Sequence, residues 1–251
     1  MIPTPLLLSF LLVLARMAGF FAFVPLPGGK SGPDVARVVL SLSFTLALYA
    51  QWPHVAAEPS AGWCAAALAS EAALGVAVGL AVACLTETFL MTAQIAGLQA
   101  GYGFAATIDP TTQADATVLL VVMQMIGGLL FFAMGLDRAI LFVFARSLEA
   151  HPAGWFVVTR PMGESVTRLA ALIFSAGLRL ALPVVALLML VDLALALIGR
   201  LNAHLQLVTL AHPAKMVVAM SVLVALSSLF PRIYAAGMRE VLGFVSHLVG
   251  S

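Results

Sequence analysis

The sequence predicts an all-α integral membrane protein built from long, kinked helical hairpins. Two observations predict it. Hydrophobic residues make up 63% of the 251 and charged residues 9%, against about 25% charged in an ordinary soluble domain. The apolar residues also fall into runs long enough to cross a bilayer, which needs about 20 consecutive residues. With a mean hydropathy of +1.10, the chain cannot cover itself with polar surface, so it must meet lipid or other apolar protein. The length fits one membrane bundle, 1–251, rather than several soluble domains. A net charge of +1 gives no ground for nucleic-acid binding.

The runs lie near 5–24, 35–52, 63–92, 116–135, 166–198 and 214–230. The first begins without a basic segment and carries Arg16 inside it, which is the reverse of a cleaved signal and reads as a retained membrane segment. It ends at Pro25-Leu26-Pro27-Gly28-Gly29. Ser31, Pro33 and Asp34 then read as the cap of a second helix, which closes near Trp52-Pro53. From Trp63 to Ile108 only Glu71 and Glu87 are charged. A straight helix of that length is about twice the hydrocarbon thickness, so this stretch bends, turns back, or meets something other than an ordinary bilayer.

The chain is organised around the next stretch, Gly97–Asp115, GLQAGYGFAATIDPTTQAD. Gly97 and Gly101 have the G-x-x-x-G spacing that lets a second backbone approach. Gly103 weakens the helix, and Asp109 before Pro110 is pushed out of helical geometry. Thr112 with Asp115 reads as a fresh cap. A loosened helix end, a tight polar turn and a new helix follow from this. The segment 149–165 is the most loop-like long stretch, with Trp155-Phe156 suited to a membrane interface. The fifth run is again overlong and carries Arg179 and Pro183, the latter a kink. Arg200, His204, His212 and Pro213 precede the last run, and a short amphipathic tail ends the chain.

Arg16, Glu71, Glu87, Arg179 and Asp192 lie inside apolar runs. A charge there needs a partner or a wet cavity, so they serve either an ion path or pairing at helix interfaces. Lys and Arg show no bias between the two sides of an alternating topology, contrary to the positive-inside rule. Cys64 and Cys84 sit in apolar runs and read as packing residues. His204 and His212 lack companions at metal-ligand spacing. No hydrolase, metalloprotease or nucleotide motif is present, so no catalytic, cofactor or metal site is expected.

Several stretches together resemble the FliR family, the export-gate component called SctT in injectisomes. They include Arg16, Pro25, Pro33, Arg37, Glu71, Gly75 and Gly79. The central Gly97, Gln99, Gly101, Phe104, Ala105, Asp109 and Pro110 follow. Ala181-Leu182-Pro183, Asp192, Arg200, Pro213 and Lys215 complete the set. Thr107, Gly135-Leu136-Asp137, Ala203 and Ala211 depart from the family pattern.

The resemblance implies a FliP-like part over about 1–165 and a FliQ-like part over 166–251. It implies assembly with FliP-like, FliQ-like and FlhB-like subunits as a hetero-oligomer in the bacterial inner membrane, at the flagellar basal body. That assembly conducts unfolded export substrates. The central loop would then be a plug: Gly101, Gly103 and Phe104 the deformable constriction, Asp109-Pro110 its base. Arg16, Glu71, Asp192, Arg200 and Lys215 would serve contacts within or between subunits. The alternative is a small-solute or ion transporter with its site at the broken helices near Gly97–Asp109 and Pro183. A membrane enzyme is the third reading, and no His/Asp/Glu constellation speaks for it.

Overall fold

The structure is a computed structural model, and it describes residues 4–24, 34–55, 59–102, 115–150, 154–157, 160–201 and 207–249. Helices α1 (Thr4–Phe23), α2 (Asp34–Ala47), α3 (Ala61–Ala100), α4 (Asp115–Ala133), α5 (Leu136–Ala150), α6 (Arg160–Leu201), α7 (Leu207–Leu226) and α8 (Phe230–Leu248) follow one another, with single 3-10 turns at Tyr49–Gln51 and Ser227–Leu229. The all-α expectation holds: no strand occurs among the described residues. By length and composition four helical stretches can cross a membrane, or five if the bent pair α4–α5 is one span.

The third run does not turn back within Ala61–Ala100. It is one unbroken 40-residue helix, about 60 Å along its length. Ser60 starts it by accepting a hydrogen bond from the Trp63 amide at 3.2 Å, and Gly101 ends it in the left-handed region at φ 85°. Helix α3 is the spine: α1, α4, α6, α7 and α8 all pack against it. Its apolar residues run all round rather than along one stripe, as a helix enclosed on several sides requires. Leu74, Val78, Val82, Phe89, Ala93 and Ala96 are fully or nearly fully buried.

The closest helix crossing lies between α1 and α3. A Cβ added at Gly79 would come within 2.5 Å of the Phe20 carbonyl oxygen, one at Gly19 within 2.6 Å of the Ala72 carbonyl, and one at Gly75 would overlap the Arg16 carbonyl. Small residues at this spacing let backbones touch where no water-driven force separates helix from lipid. This is the G-x-x-x-G face that a second backbone uses, rather than Gly97–Gly101: a Cβ at Gly97 would meet only a Leu119 methyl at 3.8 Å.

Helix α6 runs over 42 residues with Pro183, the expected kink residue, inside it. Two further differences from the sequence reading have local causes. Helix α7 begins before Pro213 and contains it, and after the 3-10 turn α8 prolongs the same rod, so the last apolar stretch runs Ala211–Leu248. Trp155-Phe156 turns inward instead of lying at an interface: Phe156 is buried, and its carbonyl accepts from the Ser70 hydroxyl at 2.6 Å. Helix α4 meets α5 at 55°, across Gly135 at φ 71°. Cys64 and Cys84 are free thiols. The cap proposed at Ser31 and Pro33, and Thr112, lie outside the described residues.

Replacing Gly75 by Val is expected to push α1 off α3, at a cost of about 1–3 kcal/mol or more, while Gly62→Val, where nothing lies within 4 Å of the added carbon, is expected to be nearly neutral. Thermal unfolding of the two variants in mild detergent checks this. Equal midpoints would show that the crossing is not tight.

Candidate functional site

Two polar clusters interrupt the apolar packing, one near each end of α3. The first is enclosed. Arg16 of α1 and Glu71 of α3 are each only 1% exposed. An Arg16 terminal nitrogen and its Nε converge on the single oxygen Glu71 Oε2 at 2.5 and 2.6 Å, a charge-assisted contact. Arg16 also donates to the Ser147 hydroxyl of α5 at 2.5 Å, and Glu71 Oε1 accepts from the Gly154 amide at 3.0 Å. Four chain segments therefore share one buried charge pair. Gly154 stands at φ 78°, and a Cβ there would come within 2.9 Å of Ala67, so the loop amide reaches Glu71 because no side chain holds it away.

The second cluster closes the other end of α3. Gln99 donates to Asp192 of α6 at 3.2 Å, and Lys215 of α7 pairs with the other Asp192 oxygen at 2.7 Å. The Lys215 side chain is mostly buried, whereas the Asp192 carboxylate is 43% exposed. One turn further along, the His212 imidazole lies against Gly101, where an added Cβ would meet Nδ1 at 2.6 Å. The stem of the central stretch is thus tied to the α6–α7 hairpin by the Gln99 amide on Asp192 and by the close approach of His212 to Gly101.

The structure brings Arg16 together with Glu71 and Asp192 with Lys215. Arg200 stands exposed at the end of α6, and Glu87 and Arg179 are also exposed. Gly97 and Gly101 belong to the end of α3. Gly103, Phe104, Asp109 and Pro110 lie outside the described residues. Sequence reasoning missed Ser147, Gly154, Gln99 as the Asp192 donor, and the role of His212. Ser147 and Gly154 carry no motif, and their partners stand 131 and 83 positions away. For His212 the neighbouring Pro213 and the G-Y-G ahead of the turn were the available signals. Among the described residues no group of three metal-ligating side chains forms, and neither cluster pairs a nucleophile with a base. Both arrangements join helices.

The family model of the bacterial export proteins, family 1, matches residues 7–241. The chain is similar to the flagellar biosynthetic protein FliR of Escherichia coli K12, 25% identical over 216 residues, which is 86% of this chain and 83% of that one. It is similar to the FliR of Caulobacter vibrioides, 24% identical over 92% of this chain and 93% of that one. The FliR of Pectobacterium carotovorum is 27% identical over 63% of this chain and 60% of its own length.

Breaking the enclosed pair from one side leaves an uncompensated buried charge, so Arg16→Leu or Glu71→Leu alone is expected to cost about 3–5 kcal/mol, and the double variant much less than the sum. A thermal-unfolding double-mutant cycle on purified protein measures it. Strict additivity would mean that the two charges do not act as a pair.

Proposed function

The chain belongs to the bacterial export proteins, family 1, the family of the flagellar biosynthetic protein FliR, and we propose that it is a core subunit of the type III protein export gate. It is a component of the flagellar export apparatus in a bacterial membrane. In this reading it forms part of the conduit wall for unfolded substrates in the inner membrane, at the basal body. It joins FliP-like, FliQ-like and FlhB-like subunits, its own 1–165 being the FliP-like part and 166–251 the FliQ-like part. The role is passive: the chain shapes and closes a path, performs no catalysis, and its partners supply energy.

The observation that carries the reading is the anchoring of the α3 end. Gln99, Gly101 and Tyr102 stand directly before the segment read as the plug, and Gln99 donates to Asp192 of α6, which Lys215 of α7 holds from its other oxygen. A loop that must block a path and then yield needs one fixed foot and a backbone that deforms. The Gln99–Asp192 contact supplies the foot, and Gly101 with Gly103 the deformable backbone. Phe104 provides an apolar obstruction and Asp109-Pro110 a rigid base on the far side. The amount of apolar surface left on α6 and α7 supports an assembly: only 17% of the most apolar window of either rod is buried within this chain, against 50% for α3.

Two experiments test the reading. Tagged and made together with FliP-, FliQ- and FlhB-like partners, the chain is expected to purify in mild detergent as a minority subunit of a hetero-oligomer, read by native mass spectrometry. A stable monomer or homodimer that ignores those partners would shift the weight to a transporter. Deleting 104–109 is expected to leave that assembly intact while the closed gate conducts ions across a planar bilayer, and unchanged conductance would remove the plug role.

A further inference from the structure

Three polar atoms on three different helices are buried and take no hydrogen bond from any described residue. They are the Thr86 hydroxyl of α3, Asp137 Oδ1 of α5 and the Tyr234 hydroxyl of α8. Thr86 and Tyr234 are 3% and 1% exposed. A buried hydroxyl or carboxylate oxygen that bonds nothing is costly, and where protein does not meet such an atom, ordered water or an ion does.

The packing brings the three to one level. Helix α5 runs opposite to α3. Its Ser147 meets Arg16, and its Phe144 meets the Phe20 ring edge-on with centroids 5.3 Å apart. Arg16 in turn holds Glu71, and the Phe20 backbone lies against Gly79. Asp137 is seven residues before Phe144, so at about 1.5 Å per residue it stands about 10 Å further along α3, at the level of Thr86. Helix α8 also runs opposite to α3. Phe230 and Tyr234 pack on the Phe89 ring at 5.5 and 6.2 Å, and a Cβ added at Gly237 would overlap Leu85. Tyr234 therefore falls between the levels of Leu85 and Phe89. Helices α5 and α8 are in direct contact, and the Asp137 carboxylate lies within electrostatic reach of the Tyr234 phenol. Gly127 of α4 closes the side next to Thr86, where an added Cβ would come within 2.7 Å of the threonine methyl.

The donors and acceptors are complementary but do not bond each other. Two hydroxyl protons need acceptors, and one carboxylate oxygen needs a donor. Water has both: it accepts from Tyr234 and Thr86 and donates to Asp137 Oδ1, and three partners are the usual number for a buried water. A metal cation would take the three oxygens but leave both hydroxyl protons without acceptors.

We propose that Thr86, Asp137 and Tyr234 hold ordered water in the contact between α3, α5 and α8. Tyr234 is also a wall of a cavity of about 440 Å³ between α3, α6 and α8, which Thr88, Ser175, Arg179 and Glu240 line with polar groups. That cavity is the route by which water reaches the phenol. The site gives the junction of α5 with the last helix a directional contact that its apolar neighbours Ile140, Phe144, Val241 and Val245 cannot supply. It depends neither on the export reading nor on what covers the outward faces of α6 and α7.

Thermal unfolding of the full chain in mild detergent, with partner subunits where they are needed, tests the bonding. Tyr234→Phe and Thr86→Val keep shape, and Asp137→Ala removes the acceptor. Each is expected to lower the midpoint by about 3–6 °C, and any two together by clearly less than the sum. Millisecond X-ray radiolysis with mass spectrometry tests the water itself, because hydroxyl radicals form where water is bound. Tyr234 is expected to be oxidised well above its equally buried neighbour Phe89, and the excess to vanish in Tyr234→Phe. An unchanged or raised midpoint for Tyr234→Phe would mean a dry, unpaired hydroxyl, and strict additivity would mean three separate groups. A midpoint that follows sodium but not choline would mean a cation, and oxidation of Tyr234 no greater than that of Phe89 would mean no water. Each of these four results overturns the proposal.

Discussion

The enclosed Arg16–Glu71 pair is the constraint on which the N-terminal body depends. Two charges leave water only if their attraction and their remaining hydrogen bonds repay the lost hydration. Arg16 reaches from α1 to Glu71 on α3 and Ser147 on α5, and Glu71 accepts from the Gly154 amide. These contacts have directions and lengths that apolar contacts lack. They select one rotation and one height of α1 against α3, where slippage by a turn would leave the packing equally greasy but strand a charge. The glycines beside them act on the same crossing: Gly19, Gly75 and Gly79 bring the two backbones together, and that closeness is what lets a guanidinium and a carboxylate meet.

The other end of α3 is built differently. Lys215 is sheltered but the Asp192 carboxylate is partly open, and Gln99 contributes a single longer bond. An open ion pair is weaker than a sealed one and is screened by whatever reaches it. One spine helix thus has a sealed polar contact near one end and a partly open one near the other, and the open one joins α3 to the α6–α7 hairpin through Asp192.

Much of this architecture was legible in the sequence because its cause is compositional. Helices follow from uninterrupted apolar runs, and the break after α3 follows from Gly101, Gly103 and Asp109-Pro110. That Arg16, Glu71 and Asp192 need partners follows from the cost of charge in apolar surroundings, whereas Glu87 and Arg179, read the same way, stand exposed. Which partner each takes was not legible, because pairing depends on which helices become neighbours. Gly154 and Ser147 are ordinary residues until the fold carries them to Arg16 and Glu71. Trp155-Phe156 misled for a related reason: an aromatic pair in a loop suits an interface and a core equally, and only the cleft beside Ser70 decides. Pro213 misled in the opposite direction: it lies within α7 rather than before it, where neighbouring helices can shelter a freed carbonyl.

The overlong apolar runs and the missing positive-inside bias have one physical explanation. Hydropathy counts apolar surface without regard to what covers it. In α3 half of the apolar window is covered by the other helices of this chain, whereas α6 and the α7–α8 rod leave most of theirs outward. A run twice the bilayer thickness then stops being a contradiction: lipid covers part, the chain's own helices cover part, and the rest is left for other protein. The positive-inside rule presumes loops at the ends of each lipid-spanning helix, and it loses its footing when helix ends such as those of α1 and α3 need not coincide with a membrane surface.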